Sequence, residues 1–181
     1  MTLVPALAAS LMLVAGPALA QHAGHHGHAG GAPGSSYAGL ETRAVKALSD
    51  TQVADLKAGR GMGLAVPAEL NGYPGPSHVL ELAEALALAP GQRARLQGLF
   101  DAMQAEAVPL GERVIAGETE LDRLFAERRA APANVAAATA AIGVAQGELR
   151  AAHLRYHLAT AEVLTPPQVD HYSRLRGYAA R

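Results

Sequence analysis

Val135, Ile142, Leu149, Tyr156 and Val163 stand at seven-residue intervals, with Ala138, Ala145, Ala152 and Ala159 between them. A repeat of seven keeps one stripe of an α-helix turned toward a single partner, so this stretch predicts a long helix with a narrow buried seam. Upstream, Leu96, Phe100, Met103, Ala107, Leu110, Val114, Leu121 and Phe125 form a second series at threes and fours, interrupted at Gly117. Pro109 lies inside it, and because the pattern continues in phase the proline predicts a kink rather than an end. Ala131-Pro132-Ala133-Asn134 reads as the turn between the two. The expectation is a long antiparallel hairpin whose first arm runs from about Pro90 to Arg129, roughly 60 Å at 1.5 Å per residue. Each arm buries one stripe only, so flanking helices or a second copy must cover the rest, and Leu154 and Leu158 lie off the seam. The fold class is all-α: a long helical hairpin with shorter flanking helices in a four-helix arrangement, or a hairpin-mediated dimer.

Composition supports close helix packing. The 181 residues include 41 alanines, while aromatic residues make up only 4%. With no cysteine, disulfide scaffolds, thiolate zinc sites and cysteine catalysis are excluded. Sixteen acidic against fifteen basic residues give no basic field for nucleic acid. Residues 1–20 carry no charge and close in Ala18-Leu19-Ala20, an apolar run followed by an A-x-A cleavage site. Cleavage after Ala20 is expected, with export to the periplasm and no membrane anchor afterwards; Pro5, Ser10 and Pro17 interrupt the run as a spanning helix.

Four segments follow: a signal peptide over 1–20, a His/Gly-rich tail over 21–37, an N-terminal helix with Gly/Pro-rich loops over 38–76, and the hairpin core over 77–178. Residues 40–58 predict one helix, and the cluster Gly59-Arg60-Gly61-Met62-Gly63 a loop, since the phosphate-loop spacing is absent. Asn71-Gly72-Tyr73-Pro74-Gly75-Pro76 is a second turn. Ser77 can then cap a helix with the stripe Val79, Leu82, Ala83 and Leu86.

The last helix opens at Leu164-Thr165-Pro166-Pro167-Gln168 and runs to about Tyr178: Thr165 caps, Pro166 takes the first helical position and Gln168 can reach back. Leu88-Ala89-Pro90-Gly91-Gln92 repeats this start with alanine at the cap, and Leu48-Ser49-Asp50-Thr51-Gln52 is a looser third copy. Two such motifs flanking a helical hairpin behind an export signal resemble the Spy/CpxP family of periplasmic proteins, including its heavy-metal-resistance and metal-sensor branch. The resemblance covers about Ser77 to Tyr178, and residues 38–76 have no counterpart in it.

His153 and His157 stand at i and i+4, which puts both imidazoles on one helix face, able to share a metal ion. They fall about 40° and 80° round the helix from Leu149, at the border of the seam. The same spacing also suits two ordinary surface residues beside Arg150 and Arg155. The resemblance implies histidines on the first helix as well, where His78 is the one match and Leu82, which cannot ligate, stands where a second would fall. Met103 and Glu106 on the second helix are further candidate donors. The tail adds His22, His25, His26 and His28, a composition associated with metal binding. Imidazole, carboxylate and thioether donors suit a divalent transition metal, Zn, Cu, Ni or Co. Neither an elbow serine nor another convergent catalytic arrangement is visible, so no enzyme is expected. The function expected is a periplasmic metal-binding protein of the heavy-metal-resistance or envelope-stress type. The alternative, implied by the resemblance, is an ATP-independent chaperone holding unfolded clients on a surface with Arg93, Arg95, Arg123, Arg128 and Arg129. A homodimer, client proteins or an envelope-stress sensor are the expected partners.

Overall fold

The computed structural model describes residues 35–178, which are helical apart from their connections. A short 3-10 turn, Leu40–Thr42, precedes α1 (Asp50–Lys57), α2 (Val66–Glu69), α3 (Pro76–Glu81), α4 (Pro90–Ala126), α5 (Pro132–Val163) and α6 (Pro166–Leu175). The expected hairpin is α4 against α5, and α4 passes through Pro109 without a break. At 37 residues α4 is about 55 Å long. It stops at Ala126, short of Arg129, because Arg128 turns left-handed at φ 56°. Asn134 staples the turn: its Oδ1 accepts from the Ala131 N–H at 2.7 Å and its Nδ2 donates to the Arg129 carbonyl at 2.8 Å.

The α5 seam lies where the sevens put it, with Ile142, Ala145, Leu149, Ala152 and Val163 buried. On α4 the stripe holds through Leu96, Met103, Ala107 and Val114, but near the tip Leu124 is buried and Phe125 is 59% exposed. Leu124 is the position four sevens on from Leu96, in phase with Met103, whereas Phe125 stands one residue past it and points outward. Gly117, which interrupts the pattern in sequence, is the close approach of the two arms. A Cβ there would stand 2.8 Å from Ile142 Cγ1. Gly111 does the same for α1, since a Cβ would run into the Leu56 carbonyl oxygen.

Two elements differ from expectation. The single helix over 40–58 is broken, because Ser49 forms a full capping box that starts a new helix: Gln52 N–H donates to Ser49 Oγ at 3.1 Å and Ser49 N–H to Gln52 Oε1 at 2.9 Å. The helix expected from Ser77 to Leu86 is capped by Gly75 with Pro76 in its first turn, and it ends at Glu81. Val79, Ala83 and Leu86 are buried nonetheless, in a cluster with Leu96, Val163, Leu164 and Tyr172 at the open end of the hairpin.

The two repeated helix starts meet in that cluster. Gln92 Nε2 donates to Gln168 Oε1 at 2.8 Å, and Gln168 Nε2 donates back to Gln92 Oε1 at 3.1 Å. Each amide oxygen also accepts the backbone N–H of its own cap position, Ala89 at 3.0 Å and Thr165 at 2.9 Å. The remaining amide hydrogens reach the carbonyls of Val163, at 2.9 Å, and Leu86, at 3.2 Å. A pair of side chains thereby joins the starts of α4 and α6 to the end of α5. None of the described helices is long and apolar enough to cross a membrane.

Candidate metal centre

His153 and His157 sit on the last turns of α5, where the buried surface widens beyond the seam of Ala152 and Val163 to include them and Thr160. Sequence phase places them at the border of that surface. The structure buries them, leaving 2% of His153 and 7% of His157 exposed. The cover comes from residues 59–76, the segment to which periodicity assigned no role. Gly61 lies over His153, with the position of a Cβ 3.6 Å from its Nδ1. Gly75 lies against His157, where a Cβ would stand 2.8 Å from Nε2, so only glycine fits between loop and ring.

The imidazoles are fixed differently. His157 Nδ1 is 2.7 Å from the Tyr73 carbonyl oxygen. A carbonyl only accepts, so Nδ1 carries the proton and Nε2 keeps the lone pair. This is the arrangement by which metal-ligating histidines are oriented. His153 Nε2 is buried with no hydrogen-bond partner among the described residues. Burial first, and the neighbouring His157 second, lower the His153 pKa, so its ring is neutral at physiological pH. An unpaired buried polar atom costs on the order of 1–3 kcal/mol, and a neutral imidazole is the ligating form.

Glu69, at the end of α2, holds this region to the rest of the fold. Its Oε2 accepts from the Gly75 N–H at 3.1 Å and lies 3.6 Å from His157 Nδ1. Its Oε1 accepts from the hydroxyls of Tyr172 and of Tyr178, the latter at 3.0 Å, and lies 3.4 Å from His78 Nδ1. Burial pushes the carboxyl up, but His78 and the two hydroxyls outweigh it and hold the pKa at about 2. Glu69 is therefore a buried anion at neutral pH. The Tyr172 hydroxyl is raised, by burial and then by its bond to this carboxylate, and stays protonated as a donor. The two tyrosine rings pack edge to face, centroids 6.5 Å apart.

A cavity of about 200 Å3 opens among these groups, with Met62, Glu69, His78, Met103, His153 and His157 on its wall. Of the donors read from the sequence, His153, His157, His78 and Met103 are thus brought together. Glu106 is not: three residues on from Met103 it is turned about 60° round α4, and it is engaged by Arg155 Nη1 at 2.8 and 3.0 Å. It lines a separate cavity with Arg113 and Glu148. His22, His25, His26 and His28 lie outside the described residues. Glu69 and Met62 escaped the sequence reading because neither sits on a periodic face. The only local signal was a density of Gly and Pro around them, which marks close backbone approach. Among the described residues no three His, Asp or Glu side chains stand together as a ready-made metal-holding group. The groups on the cavity wall are nevertheless of metal-donor type: imidazoles, of which His78 and His153 each carry a buried nitrogen with no hydrogen-bond partner among the described residues, and a thioether.

Residues 61–171 match a family model described as heavy-metal resistance. No curated protein and no solved structure matches the chain.

Proposed function

The chain belongs to the heavy-metal resistance family, and we propose that it serves this role by binding a transition-metal ion in the cavity beneath residues 59–76. His153 and His157 are the principal donors, with His78 and Met103 beside them; Glu69 supplies the compensating charge. The observation that carries this reading is His153 Nε2, buried and unpartnered beside a histidine whose own lone pair is fixed by the Tyr73 carbonyl. We place the protein in the periplasm on the strength of its apolar, uncharged first twenty residues, and we read it as a binding protein of the Spy/CpxP kind rather than an enzyme. The chaperone alternative gains less from the surface: Arg93 is paired with Glu84, Arg123 with Glu120 and Glu127, and Arg129 with Glu127, which leaves fewer cations to hold a client.

Calorimetric titration with Zn(II), Ni(II), Co(II) and copper tests the reading, in a chain whose tail histidines 22, 25, 26 and 28 are replaced by alanine. Micromolar or tighter binding of at least one ion is expected, weakened tenfold or more by His153→Ala and by His157→Ala. Binding that both substitutions leave untouched would remove the site.

A further inference from the structure

The chain contains four methionines, Met1, Met12, Met62 and Met103. The two that fall among the described residues both line the same cavity, together with three of the four described histidines. Met103 reaches it from α4 and is 7% exposed. Met62 reaches it from the loop Gly61-Met62-Gly63 and is 41% exposed. Its backbone is left-handed, φ 44°, a conformation that costs a side-chain-bearing residue on the order of 1 kcal/mol and that glycine would adopt freely. A flexible, polarisable side chain is kept there at that cost, partly exposed on the cavity wall.

Two further observations bear on which ion such a cavity prefers. Imidazole and carboxylate groups alone do not make a three-donor set among the described residues, and the thioethers are the further protein donors on the cavity wall. The one buried acidic side chain among the described residues is Glu69. Its single negative charge balances a monovalent ion placed beside it, whereas a divalent ion leaves an uncompensated charge in a buried site, which is costly. Thioether donors select soft ions, Cu(I) above all, over Zn(II), Ni(II) and Co(II).

We propose that the Met62 and Met103 thioethers complete the site with His153 and His157, and that the ion it selects is Cu(I). This rests on the cavity being the metal site and narrows it to one class of ion. Met62, the exposed donor, meets the ion first; the buried donors then enclose it.

The test uses the full chain with the four tail histidines replaced by alanine. Cu(I) affinity is measured anaerobically under ascorbate by competition with a chromophoric Cu(I) chelator, and Zn(II) affinity with a zinc indicator. The expected result is Cu(I) held at least about a hundredfold tighter than Zn(II). Met62→Leu and Met103→Leu should each cost tenfold or more in Cu(I) affinity and leave Zn(II) within twofold. Zn(II) binding as tight as Cu(I), or Cu(I) affinity indifferent to both methionine changes while His153→Ala abolishes it, overturns the thioether site but leaves the metal-binding reading standing. Affinities for both ions unmoved by His153→Ala and His157→Ala overturn both. If Met103→Leu fails to fold, the half-exposed Met62→Leu and a copper-edge X-ray absorption spectrum of the parent protein decide. Sulfur in the first coordination shell supports the proposal, and a shell of nitrogen and oxygen alone ends it.

Discussion

Glu69→Gln, followed across pH in the metal-free protein, isolates the free energy held in one buried carboxylate. The native environment lowers this carboxyl from 4.5 to about 2, although burial works in the opposite direction. A displacement of that size corresponds to ~3 kcal/mol of folding free energy. The native state holds its proton less tightly than the unfolded chain, so the contribution is fully present above pH 4.5. It falls away as pH drops from about 4.5 toward 2, and it is gone once the native carboxyl protonates. Glutamine keeps the shape and can still accept from the tyrosine hydroxyls, but carries no charge at any pH. Urea unfolding of both proteins between pH 7 and pH 2.5, with a chelator present, yields their stability difference at each pH. The wild type should lead by ~3 kcal/mol at pH 7, and most of that lead should disappear by pH 2.5. Protonation of groups remote from Glu69 acts on both proteins and cancels in the difference; His78 and His157, which lie beside the carboxylate, are part of what the comparison measures. Two parallel curves, offset equally at every pH, would show that the charge on Glu69 is not what stabilises this region.

Gly75→Ala puts a methyl 2.8 Å from His157 Nε2, and tenfold or greater loss of metal affinity with a smaller loss in melting temperature is expected from parallel titration and thermal scans. Gly111→Ala drives a methyl into the Leu56 carbonyl; α1 must lift, at a cost of about 1–3 kcal/mol in denaturant unfolding. Gln92→Ala and Gln168→Ala remove opposite halves of one reciprocal amide pair, and a double-mutant cycle should return a coupling energy of about 0.5–3 kcal/mol, with simple additivity counting against a shared structure.

The hairpin was legible because a seven-residue period is a local property of the chain, and α5 obeys it at Ile142, Leu149 and Val163, with Tyr156 only partly buried. At the tip, a step of four from Leu121 points to Phe125, while the sevens from Leu96 and Met103 point to Leu124, and it is Leu124 that is buried. Short elements fared worse. Ser49 was recognised as a helix start but not as the place where the preceding segment must break, and α3 took its cap from Gly75, a residue with no side chain to announce the role. In the candidate site, the His153–His157 pair followed from spacing alone. Its burial did not, because the cover is an irregular segment held by long-range contacts. Glu69 is bonded to tyrosines 103 and 109 positions away, and no pattern in residues 59–76 encodes that distance. Glu106 illustrates the converse: a carboxylate is a metal-donor type, but α4 turns this one away from the histidines toward Arg155.

The clasp of Tyr172 and Tyr178 on Glu69 also governs when the cavity can exist. Its walls are drawn from Met62, Glu69, His78, Met103, His153 and His157, and its brace from the far side of α6. A chain emerging from its amino end has no partial version of this arrangement, because the histidine pair and the brace arrive last. On the proposed function, loading is therefore an event in the life of the finished molecule. An ion met during synthesis would find only scattered ligands, so on that reading capture waits for the completed fold.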